Sequence, residues 1–150
     1  GLRRVVLDAS VVVKWVLPGE PWEEEALLVL AAVVEGQVEA YAPSLLVTEV
    51  YNALLRAALV ERQLSSKEVV AALRSLADLP IALQATTWKL AASAAQIAAE
   101  AQIDAFDALY VALCQQLNAT LLTADRKLAQ RAKRLVSAVH LSEVASFLKL

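Results

Sequence analysis

Residues 3–8, Arg3-Arg4-Val5-Val6-Leu7-Asp8, decide the fold. A short valine- and leucine-rich run without polar alternation reads as a strand buried on both faces, and this one stops at an acid. The pattern returns near the other end of the chain. Ala119 to Thr123 reads as a second such strand, and Asp125 stands just beyond it. In a parallel α/β sheet, ligands gather beyond the carboxyl ends of the strands. Two acids at equivalent strand ends are the first functional pointer, although Asp also caps the helix that follows a strand.

Between these strands the chain alternates. Pro18, Gly19 and Pro21 punctuate it, and the acidic turn Glu23-Glu24-Glu25 opens a helix expected to end near Gly36. Val38 to Ala42 reads as a strand. Pro43 and Ser44 launch a helix to about Gln63, and Ser65 caps another to about Leu79. Pro80 to Ala85 is a weaker strand, followed by an alanine-rich helix to Ala101. Helices over Asp104–Asn118 and Ala124–Leu135 flank the Ala119 strand, and Val136–His140 is a last strand. Strands alternating with helices predict a parallel sheet covered on both faces, an α/β fold over residues 1–150 as a single domain.

Composition fits that reading. The 150 residues are 59% hydrophobic, against about 45–50% in an ordinary soluble domain. The longest apolar run, Ala26 to Val34, is far short of the ~20 residues a spanning helix needs. No basic segment, apolar stretch and cleavage site open the chain, so a membrane or secretory protein is not expected. With no Met and Gly at position 1, the natural start is expected to have been replaced or trimmed. The lone Cys114 excludes an internal disulfide framework and suits a reducing cytoplasm. It is expected to be a small buried hydrophobe. The net charge of −2 gives no argument for a nucleic-acid partner. The basic cluster Arg126, Lys127, Arg131, Lys133 and Arg134, which contains no acid, is either a solvated helix face or a phosphate-contacting patch.

Two further acids come from helical spacing. On the helix after Ser44, Leu46, Val50, Ala53, Leu54 and Ala57 form an apolar stripe. Glu49 falls roughly 80–90° from its centre, at the border, with Asn52 placed to hydrogen-bond near it. On the helix after Asp104, the expected stripe is Phe106, Leu109, Tyr110, Leu113, Cys114 and Leu117. Asp107 lies roughly 80° from its centre and Asp104 roughly 140° away. Asp104 therefore reads as a solvent-facing cap and Asp107 as the acid turned inward, unless it merely complements the helix dipole. Buried carboxylates repel one another, and each costs several kcal/mol unless paired. Only Lys14 is placed to reach them. A hard divalent cation resolves the conflict, so Asp8, Glu49, Asp107 and Asp125 read as a magnesium site serving phosphoryl chemistry.

The blocks VVLDASVVVKWVLPGE, SLLVTEVYNALLRA and DAFDALYVALCQQLNATLLTADRKL resemble the PIN-domain ribonucleases, and most of all the VapC toxins of prokaryotic toxin–antitoxin modules. The resemblance runs over essentially the whole chain and implies a three-layer α/β/α sandwich with a parallel sheet. It implies that Asp8, Glu49, Asp107 and Asp125 hold one or two Mg²⁺ or Mn²⁺ ions, with Glu49 orienting or deprotonating the attacking water. Ser10 and Thr123 match positions that support the carboxylates, and Asn52 a polar position beside the glutamate. Asp104 departs from the usual Ser or Thr and is not counted as a ligand. Cleavage of single-stranded or looped RNA, with 5′-phosphate and 3′-hydroxyl products, is implied as well. So are a homodimer and a cognate VapB-like antitoxin that blocks the site. Arg126 and Lys127, directly after Asp125, and Lys14 are then the residues placed to contact substrate phosphates.

Two other readings compete with this one. A phosphoaspartate enzyme or receiver domain shares the strand-end aspartate. The first wants a second aspartate where Ser10 stands, and the second a lysine after a late strand that is not visible. A catalytically silent PIN-like module that binds RNA or protein keeps the fold without the chemistry. His140, the only histidine, is expected to be structural, and Trp15, Trp22 and Trp88 to be packing residues, one of them available for an interface.

Overall fold

A computed structural model describes residues 1–149. Five strands, β1 (Arg3–Leu7), β2 (Val38–Pro43), β3 (Ile81–Gln84), β4 (Thr120–Thr123) and β5 (Ala138–His140), form one sheet in the order β3-β2-β1-β4-β5. Every pairing is parallel. In register, Leu7 lies opposite Leu122 and Thr123 opposite His140.

The alternation of side chains along the central strands sorts the core into two halves. Val5, Leu7 and Leu122 pack with α2 (Glu23–Val34), α3 (Leu45–Leu59) and the short α8 (Val144–Leu148). Val6 and Leu121 face the other way, against α5 (Trp88–Ala101), α6 (Ala105–Leu117) and α7 (Arg126–Ala132). The fold is therefore the expected three-layer α/β/α sandwich. Its central strands are apolar on both faces because both faces are covered, which accounts for the hydrophobic excess without lipid. Among the described residues no helix is long and apolar enough to cross a membrane.

Local signals explain most element ends. Ser65 and Glu68 exchange reciprocal hydrogen bonds at the start of α4 (Ser66–Ala77), satisfying two orphan amides at once. Thr87 caps α5, Asp104 caps α6, and Asn118 ends α6 in the left-handed region. Some expected ends move. The helix expected to reach Gln63 stops at Leu59, and that expected over Ala124–Leu135 is confined to Arg126–Ala132. Sequence reading passed over α1 (Ala9–Val12), its 3₁₀ extension Val13–Trp15, and α8. All three are far shorter than the roughly 11–18 residues over which helical periodicity becomes legible.

Two packing expectations need correction. Trp88 is 94% exposed, not packed. As the first residue of α5 it lies about 200° from Leu90, opposite the buried stripe Leu90, Ala94, Ile97 and Ala101. Phe106 is 58% exposed, although it was assigned to the buried stripe of α6. Tyr110 and Leu113, one and two turns further along the same side of α6, are fully buried, so Phe106 is exposed by its place in the first turn of the helix and not by its face.

Candidate functional site

The sheet order reverses between β1 and β4: the chain runs outward through β2 and β3, then returns to the other side of β1. Asp8 and Asp125 lie beyond the carboxyl ends of these two strands, at the topological switch point where α/β sheets bind ligands.

Asp8 begins α1, yet its side chain makes no capping bond. One carboxylate oxygen, Oδ2, instead accepts from Ser10 Oγ at 2.5 Å and Thr123 Oγ1 at 2.8 Å. Its main-chain N–H donates to the Leu122 carbonyl, which locks the strand end. Asp8 is 6% exposed. Burial pushes its carboxyl above the ordinary range, the two hydroxyls oppose the shift, and the charge of Asp125 adds to it. The bland capping explanation therefore fails for Asp8.

It holds in part for Asp125, whose Oδ1 accepts from the Leu128 amide at 3.0 Å as the cap of α7. The Asp125 amide in turn donates to Thr123 Oγ1, and the Ala124 amide to Ser10 Oγ, both at 3.0 Å. Ser10 and Thr123 thus bind the two strand ends into one hydrogen-bonded unit.

On α6, Asp104 caps the helix by accepting from the Asp107 amide at 2.7 Å and is exposed, as its spacing indicated. Asp107 is half-buried, and its carboxyl is pushed up to about 7. Burial is the main cause, followed by the negative charges of Asp104, Asp8 and Asp125.

Glu49, at the border of the α3 stripe, is also half-buried. Burial and the charges of Asp8 and Asp104 raise its pKa against a hydrogen bond from the Tyr110 hydroxyl, 2.6 Å from Oε1. Tyr110 is the residue that sequence reasoning missed as part of the site. It was assigned to the apolar stripe and is fully buried, but its hydroxyl reaches across to α3. Asn52, the expected partner of Glu49, lies on the exposed surface one turn further along.

Among the described residues the ion pairs are Arg4–Glu39 and Lys14–Glu20, so none of these acids is neutralised by a basic side chain. Nor do any three His, Cys, Asp or Glu side chains among them close on one point as a finished metal cage. The hard oxygen donors of these acids suit a divalent cation. Lys14 is buried, with Nζ 4.0 Å from Glu20. In the basic cluster, the Arg126 guanidinium sits 5.3 Å from a ring centroid of Trp22, and Arg131 donates to the Gln102 carbonyl. Lys127, Lys133 and Arg134 are exposed.

The family model described as PIN domain matches residues 5–134. No curated protein matches the chain. Among solved structures, FitAcB from Neisseria gonorrhoeae is 21% identical with a TM-score of 0.67, covering 92% of this chain and 98% of its own. VapC20 of Mycobacterium tuberculosis, described as a toxin that cleaves the sarcin–ricin loop, is 14% identical with a TM-score of 0.66, covering 84% and 93%. VapBC2 from Rickettsia felis, bound to a DNA fragment from its promoter, is 15% identical with a TM-score of 0.63, covering 91% and 98%. At these identities the likeness is one of fold.

Proposed function

The chain belongs to the PIN-domain family, and from that premise we propose that it is a metal-dependent endoribonuclease, the toxin of a VapBC-type toxin–antitoxin pair. The observation that carries this reading is the cluster of acids at the switch point without a basic partner among the described residues, in which burial raises the pKa of Asp8, Glu49 and Asp107. In this reading Asp8, Asp107, Asp125 and Glu49 hold one or two Mg²⁺ or Mn²⁺ ions. When bound, such an ion neutralises charge on a phosphodiester and acidifies water.

The side chains then divide the work. Ser10 and Thr123 both occupy Asp8 Oδ2, which leaves Oδ1 without a side-chain donor and available to an ion. Tyr110 occupies Glu49 Oε1, so Oε2 is the atom that takes a proton from the attacking water. In-line attack at phosphorus expels the 3′ oxygen and leaves a 5′-phosphate. Lys127 and Arg126 follow Asp125 directly and contact flanking phosphates, with Lys14 as a weaker candidate. The substrate class is single-stranded or looped RNA, in keeping with the loop-cleaving activity described for VapC20.

For the partners, a groove of about 390 Å³ runs between α3, α4 and β3, walled by Leu46, Val50, Leu73, Leu76 and Leu83. An apolar groove of this kind supports a protein partner, which we assign as a VapB-like antitoxin. The exposed Trp88 and Phe106 favour a homodimer. The protein would act in the cytoplasm as one PIN domain.

The test is incubation of the purified protein with single-stranded RNA, with Mg²⁺ or with EDTA, beside Asp8→Asn and Asp107→Asn. Cleavage only by the parent protein with metal is expected. Cleavage that survives EDTA or either substitution sinks the metal mechanism, and tight binding without cleavage identifies a silent module.

A further inference from the structure

His140 is 5% exposed and takes no part in the chemistry above. It ends β5, opposite Thr123 in register. Its ring makes three hydrogen bonds, Nδ1 with the Ser142 amide and with the Ser142 hydroxyl at 2.9 Å, and Nε2 with the Ala124 carbonyl, and their directions can be assigned. The Ser142 amide lies 3.0 Å from Nδ1 and can only donate, so Nδ1 is the acceptor. Nε2 therefore carries the proton, and it lies 3.0 Å from the Ala124 carbonyl, which can only accept.

That carbonyl belongs to the same peptide unit as the Asp125 amide, which donates to Thr123 Oγ1. The Ala124–Asp125 peptide plane is thus held at both ends, by His140 at the oxygen and Thr123 at the nitrogen. Fixing that plane fixes where the Asp125 Cα sits, and the bond from the Leu128 amide to Asp125 Oδ1 then holds the carboxylate on that anchored base. The ring also packs edge-on with Trp22, centroids 5.3 Å apart, and the same indole carries the Arg126 guanidinium.

We propose that His140 is a positioning residue: through its Nε2–H bond to the Ala124 carbonyl it sets the Asp125 carboxylate, and through Trp22 it supports the Arg126 head. The proposal rests on the reading of this cluster as a metal-dependent nuclease, and it deepens that reading by extending the site to a residue outside the acids.

A purely structural role would lie in the other ring nitrogen, which caps the 3₁₀ turn Leu141–Glu143. Two substitutions separate the roles. His140→Asn keeps an acceptor for the Ser142 amide but cannot reach Ala124. His140→Gln keeps a donor at the reach of Nε2 and loses the cap. For each variant, Mn²⁺ affinity is read from the electron paramagnetic resonance signal of the free ion. Exchange of the Asp125 amide hydrogen is followed in metal-free protein, and melting temperature reports folding.

We expect His140→Asn to weaken Mn²⁺ binding about tenfold and to speed Asp125 exchange, with His140→Gln within about twofold of the parent in both. An Asn variant that matches the parent in both readouts overturns the proposal, as does a Gln variant that falls as far as Asn. If the Asn variant does not fold, the Gln variant decides alone: parental binding and exchange support the proposal, and their loss overturns it. A parent protein that binds no Mn²⁺ and cuts no RNA defeats the nuclease reading instead, and the exchange comparison then settles whether His140 holds Asp125.

Discussion

Tyr110 donates its hydroxyl hydrogen to Glu49 Oε1 across 2.6 Å, tying α6 to α3 beside the acidic cluster. The phenol is buried in the core that α6 shares with the sheet, so its oxygen is a fixed point and the half-buried glutamate is the group being aimed. Burial and the Glu49 charge push the phenol pKa far up, so it remains a donor at every working pH. Tyr110→Phe should preserve packing while removing the donor that lowers the Glu49 pKa. We expect a stability loss of about 1 kcal/mol in urea titrations. The acid limb of the pH–rate profile should move to higher pH, because Glu49 then binds its proton more tightly. An unmoved limb would mean that Glu49 does not take the proton.

Asp107 gives the protein a pH dependence of its own. Its carboxyl titrates near 7 in the folded protein and near 3.8 as an unperturbed side chain. Between those values the folded state binds more protons than the unfolded one, so this group's stabilising contribution is complete below the lower value and is lost as pH rises through the upper. In EDTA the parent should lose stability from about pH 4 to pH 7, whereas Asp107→Asn should show a shallower slope. At alkaline pH the variant should be the more stable by about 1–2 kcal/mol, after allowance for the screening of a half-exposed group. Millimolar Mn²⁺ should restore the parent at alkaline pH and leave the variant nearly unchanged, since an ion that binds only the folded state stabilises it by mass action. Denaturation curves across this range, with and without metal, check both expectations.

The hydroxyls around Asp8 carry a separate expectation. Thr123 is fully buried, donates to Asp8 Oδ2 and accepts from the Asp125 amide. Thr123→Val keeps the shape but leaves a carboxylate short of a donor and an amide without an acceptor. A loss of about 2 kcal/mol at neutral pH is expected. The substitution raises the Asp8 pKa further, so the loss should narrow as acid protonates both proteins. Urea titrations at neutral and acid pH decide it, and a loss independent of pH would mean that the Asp8 charge is not what Thr123 stabilises.

These relationships mark how far the sequence alone could be read. Asp8 and Glu49 were visible because an acid at a buried strand end and an acid at a stripe border each break a periodic pattern. Tyr110 fits its pattern perfectly well as a core aromatic, and only the approach of α3 to α6, two segments far apart in the chain, turns its hydroxyl into a site group. His140 was hidden for the same reason, since its partner carbonyl belongs to Ala124, whose side chain carries no signal. The sheet followed from apolar runs bounded by turns, and the Ser65–Glu68 box from its spacing. Trp88 is exposed because it stands opposite the buried stripe of α5, a position its size as an aromatic outweighs when residues are read one by one. Phe106 is exposed because periodicity finds the apolar face of α6 but not where along the helix the cover begins.

The basic cluster after Asp125 divides by what each side chain already holds. Arg131 is committed to the Gln102 carbonyl at the end of α5, whereas Lys127 is exposed. If Lys127 contacts a phosphate, Lys127→Ala should weaken single-stranded RNA binding uniformly across sequences and reduce the slope of log K against log salt by about 0.7. Arg131→Ala should leave that slope unchanged and instead lower the melting temperature, because it strips a donor from a helix end. Fluorescence anisotropy with two unrelated RNA oligomers over a salt series measures the slopes. Equal slopes for parent and Lys127→Ala would show that this lysine belongs to a solvated helix face and not to a phosphate track.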